Sequence, residues 1–263
     1  MKKIITFLIV PAMLLSLVGC TTISQVPTTP TNSVPAPITT TEPNINQYNI
    51  SREDWVIQHK DSKDTTDIAL IKYQQAIDAY TNGHPEVGLR SDWGVDYSGE
   101  LTIFTDLGVA GLQGLVRETD VNNPFVVPVI IAIDEICKTD FSLIDTFSSE
   151  QVTNWKIAFN NESNNAKDIV AKVVETLNNN ASVSDEEINN QLAEAGIFAL
   201  PYFYDEVINN SNVILLKYAE IILPDEKLRG FNIGSGSQDL AAYRAALASC
   251  ADDIKIINNL RVK

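Results

Sequence analysis

Laid over itself at an offset of 88 residues, the chain repeats: Leu107 to Glu135 aligns with Ala195 to Leu223 without a gap. Gly108 meets Gly196, Leu112 meets Leu200, Glu118 meets Glu206 and Asn122 meets Asn210. Apolar character agrees at Val109/Ile197, Leu115/Phe203, Phe125/Val213, Val126/Ile214 and Ile133/Ile221. Each copy reads as helix, polar turn, helix. A hairpin of this kind cannot bury its apolar side alone, so the copies must stack on one another or on further helices.

The flanks are helical too. Leu70, Tyr73, Ile77 and Tyr80 recur at gaps of three and four, with Thr65 or Thr66 available as a cap and Asn82-Gly83 as a stop. Leu240, Tyr243, Leu247, Cys250, Ile254 and Ile257 form one longer stripe after the flexible Gly234-Ser235-Gly236-Ser237 turn, with Ser237 positioned to cap it. Ser184 and Glu187 have capping-box spacing, and Asp185, Glu186 and Glu187 suit a helix N-terminus. An all-α domain over 48–263 is therefore expected, with a loop-rich insert near 84–100 where Pro85, Gly88, Gly94 and Gly99 fall.

Because 88 is twice 44, a length inside the roughly 40–47 residues of HEAT and armadillo units, a middle copy is expected. Ile169, Val170, Val173 and Leu177 supply its second helix, over Phe125, Val126, Val129 and Ile133, while Trp155 to Phe159 match a first helix poorly. The Gly-apolar-x-x-Leu first helix, the turn, the aliphatic second helix and Pro201 resemble HEAT-type helical hairpins. That resemblance implies a short α-solenoid. The family's turn aspartate and following arginine are missing, with Pro128 and Leu216 near the basic position. An antiparallel helical bundle is the alternative arrangement.

The N-terminus carries a different message. Lys2 and Lys3 precede an apolar stretch from Ile4 to Leu17, too short for the roughly 20 apolar residues of a membrane span and patterned as a signal peptide. Leu17-Val18-Gly19-Cys20 resembles the lipobox of bacterial lipoproteins. The resemblance implies cleavage before Cys20, a lipid on its sulfur, palmitate among the acyl chains, and residues 1–19 as signal peptide. It further implies an exported protein on the outer face of a cell membrane, or on the outer membrane of a Gram-negative cell. Residues 20–47, rich in Thr and Pro, cannot bury enough apolar surface to fold and read as a tether.

The formal charge is −15, becoming −17 once Lys2 and Lys3 are removed, which excludes nucleic acid as a natural partner. Only His59 and His84 are present, in no metal-ligand spacing, so neither a metal nor another cofactor is expected. Cys137 and Cys250 fall on apolar helical stripes and read as buried free thiols. The carboxylate pairs Asp134-Glu135, Asp205-Glu206 and Asp252-Asp253 read as solvated helix faces. No catalytic residue emerges. The cluster best suited to a ligand or partner is Asp92, Trp93, Asp96 and Tyr97 in the insert, where aromatics stand beside carboxylates. The expected function is a lipid-anchored scaffold or protein-binding module without catalysis. The alternatives are a glycan- or cell-wall-acting enzyme and a solute-binding lipoprotein.

Overall fold

A computed structural model describes residues 50–83, 98–139, 149–179 and 183–260. Residues 1–49, with the expected signal peptide, Cys20 and the expected tether, lie outside the described residues, as do 84–97 of the insert. Everything described is helix or connecting turn, with no strand among the described residues. The all-α expectation is met.

The sequence repeat is the visible part of a larger one. Helices α2 (Thr65–Gly83), α3 (Ser98–Thr105), α4 (Gly108–Arg117) and α5 (Val126–Cys137) form a first unit. Moved by 88 residues, α2 falls within α6 (Ser149–Asn178) and α3 within α7 (Asp185–Ala195). By the same shift, α4 lands on a 3-10 turn, Gly196–Ala199, continued by α8 (Leu200–Tyr204). Helix α5 lands on a 3-10 segment, Val213–Tyr218, continued by α9 (Ala219–Ile222). The packing repeats as well: α2 lies on α3, α3 on α5 and α4 on α5, while α6 lies on α7, α7 on α9 and the Gly196 turn on α9.

The expected middle hairpin does not exist. Ser149–Asn178 is one continuous helix of 30 residues. Its central Asn160-Asn161-Glu162-Ser163-Asn164-Asn165 stretch is polar but contains no Gly or Pro, so nothing forces a break. The small side chains of Ser163 and Ala166 are buried and let α6 pass closely over its neighbours. The period is thus a unit of about 88 residues, not a hairpin of half that length.

The second unit is distorted where the first is regular. Pro201 has no N–H to give and sits at the start of α8, after the 3-10 turn. Asp205–Asn209 then widens into a π turn, with the Asn210 N–H reaching back to the Asp205 carbonyl at 3.0 Å. Both units bend sharply at the same place, because Gly108 and Gly196 take left-handed φ values of 56° and 49°.

Beyond the second unit come α10 (Asp225–Gly230), α11 (Leu240–Ala248) and α12 (Ala251–Leu260). The single C-terminal helix expected from the stripe is two, divided at Ser249 and Cys250, where the Ser249 hydroxyl donates to the Ala246 carbonyl at 2.7 Å. Helix α12 packs on α4 and also on the equivalent α8. In a solenoid each repeat contacts only its neighbours. Contacts from the C-terminus back to the first unit close the domain in the manner of a bundle.

Caps differ in detail from the expected ones. Asp64, not Thr65 or Thr66, starts α2, its Oδ1 accepting from the Thr66 and Asp67 N–H groups at 2.8 and 3.4 Å. Asp239 caps α11 through the Ala242 N–H at 3.0 Å, while Ser237 supports Asp239 instead. Ser184 caps α7 as expected, accepting from the Glu187 N–H at 3.2 Å. A further helix, α1 (Arg52–His59), precedes the first unit and buries Trp55.

Candidate functional site

Of the residues singled out from the sequence, Cys20, Asp92, Trp93, Asp96 and Tyr97 all lie outside the described residues. Cys137 and Cys250 are described: both are free and fully buried. Burial holds the Cys137 thiol well above its ordinary range and pushes Cys250 up to about 12, so neither is poised as a nucleophile. Among the described residues, no group of His, Cys, Asp and Glu could hold a metal ion. His59 stacks on Trp55 with ring centroids 3.9 Å apart, and its Nδ1 lies 2.8 Å from the Trp55 carbonyl.

The carboxylate pairs are less uniformly solvated than expected. Asp253 is buried, with Lys227 3.0 Å away, and Asp134 accepts from the Trp155 indole N–H at 2.9 Å. Asp185 receives the Tyr218 hydroxyl at 2.8 Å and the Lys217 ammonium, and these two, Lys217 first, hold its carboxyl below the usual range. These contacts join elements far apart in sequence.

Glu220 of α9 works as a latch. Its Oε2 accepts from the Gly236 N–H at 2.9 Å and from the Tyr243 hydroxyl at 3.2 Å, fastening the glycine-serine turn. The Gly236 N–H, above all, lowers its pKa. A carboxyl depressed on folding contributes stability above its unfolded value of about 4.3 and loses it as pH falls through the folded value. Glu220→Gln is therefore expected to lower Tm at pH 7. The difference from the unsubstituted protein should shrink toward zero below about pH 4, as a thermal melt series would show.

Two of the concavities among the described residues bear on a candidate site. One, of about 80 Å³, is lined by Asp106, Glu135, Asp225, Glu226 and Arg229. It falls well below the roughly 300–1,000 Å³ of ligand pockets. The other, about 370 Å³, runs between the start of α2 and the small residues Ala110, Gly111 and Gly114 of α4. Its cation, Arg117, already bridges Asp64 at 3.2 Å, Asp67 at 3.6 Å and Glu118 at 2.8 Å. That cluster clamps α2 to α4.

The surface of the second hairpin is less well covered than that of the first. Val213 and Ile214 are each 49% exposed, although their counterparts Phe125 and Val126 are fully buried. Two differences cause this. The 3-10 winding of Val213–Tyr218 turns Leu215 and Leu216 into the core in place of the first two residues. In addition, α1 covers the first hairpin: Trp55 meets Phe125 edge-on at 5.2 Å, and the Arg52 guanidinium lies 5.0 Å above that ring. Arg52 Nε also donates to the Pro124 carbonyl at 2.9 Å.

Charge differs between the two hairpins as well. Where the first has Arg117, the second has Asp205 beside Glu206. Asp205 accepts from the Asn209 side-chain amide and Glu206 from that of Asn210, both at 3.0 Å, and neither meets a cation among the described residues. The result is an apolar step with an acidic edge. Sequence alignment paired Val213 and Ile214 with core positions, and the 3-10 winding and the cover by α1 tell the two hairpins apart.

No family model, no curated protein and no solved structure matches this chain.

Proposed function

We propose that the protein is an exported bacterial lipoprotein, anchored through lipid on Cys20, whose acidic helical domain binds another protein at the cell envelope and acts by recognition rather than catalysis. Four of the large exposed apolar side chains, Val213, Ile214, Phe231 and Leu240, fall on the stretch from the second hairpin to the start of α11, and they carry this reading. Exposed apolar side chains on an acidic domain suit a protein partner better than a small solute. The spacer of residues 20–47 would hold that surface away from anionic headgroups, which an acidic domain avoids.

Anchoring has its own test. Cells expressing the chain and fed an alkyne-bearing palmitate are expected to label it and keep it in the membrane fraction. Cys20→Ser should abolish both effects. Equal labelling of the two forms would rule out lipidation at Cys20.

A further inference from the structure

We draw no further inference here: the strongest candidate, the exposed apolar step of Val213 and Ile214 on the second hairpin, belongs to the surface already described, and nothing among the described residues shows what covers it.

Discussion

Gly196→Ala is expected to cost the fold about 2–5 kcal/mol, combining left-handed backbone strain with overpacking against a wall that cannot retreat. A Cβ built on Gly196 would lie 2.3 Å from the Cys137 backbone carbonyl oxygen and 2.9 Å from the Thr139 methyl. That carbonyl belongs to the end of α5, so the bend of the second unit presses directly on the first. The matching substitution, Gly108→Ala, serves as the control. Its φ is similar, but the Cβ would meet a Glu226 carboxylate oxygen at 2.9 Å, at the end of a side chain that can swing away. Chemical denaturation should therefore rank Gly196→Ala well above Gly108→Ala. Equal losses would mean that strain alone decides both positions and that the two units do not press together there.

Trp155→Ala should be comparably severe, about 3–5 kcal/mol, the usual range for emptying a buried aromatic site. Trp155 is almost wholly buried on α6 and packs against Phe159 with ring centroids 5.0 Å apart. Phe159 in turn meets Phe198, in the bend after Gly196, edge-on at 5.0 Å. Across the boundary between the units, the indole N–H of Trp155 donates to Asp134 of α5 at 2.9 Å. Trp155→Phe keeps most of the packing and gives up this bond, so it should lose much less, about 1–2 kcal/mol. A denaturant series on the two variants separates packing from hydrogen bonding at this junction.

The self-match at 88 residues made the paired hairpins legible, because Gly108 and Gly196, and the apolar positions after them, answer to the same backbone demand. The rest of each unit was hidden. Helices α2 and α6 share a place in the packing but little composition: Leu70 and Tyr73 correspond to Ala158 and Asn161. Core packing tolerates such exchange when neighbouring residues fill the volume, so the fold can repeat after the letters have stopped doing so. The period of 44 came from halving 88 to the length of a HEAT-type unit, yet nothing in the asparagine-rich 160–165 stretch breaks a helix, since asparagine weakens one by only about 0.7 kcal/mol at most.

The candidate surface was legible only in part. Val213 and Ile214 look like core residues in any alignment. Their exposure goes with the 3-10 winding of Val213–Tyr218, which follows a π turn at Asp205–Asn209 and a left-handed Ser211, while α1 covers the first hairpin. Helix α1 was missed because Glu53 and Asp54 break its apolar pattern, although Ser51 caps it by accepting from the Asp54 N–H at 3.1 Å. Asp92, Trp93, Asp96 and Tyr97 of the insert lie outside the described residues.

The central claim, that the domain recognises a protein at the envelope through its second hairpin, is tested most directly by cross-linking in living cells. A photoreactive amino acid placed at position 214, and at the exposed Lys255 as a control, would be activated by light before membranes are isolated. A discrete heavier adduct containing a second protein, formed from position 214 and absent from position 255, is the predicted result. No adduct from position 214, or the same set from both positions, would contradict it.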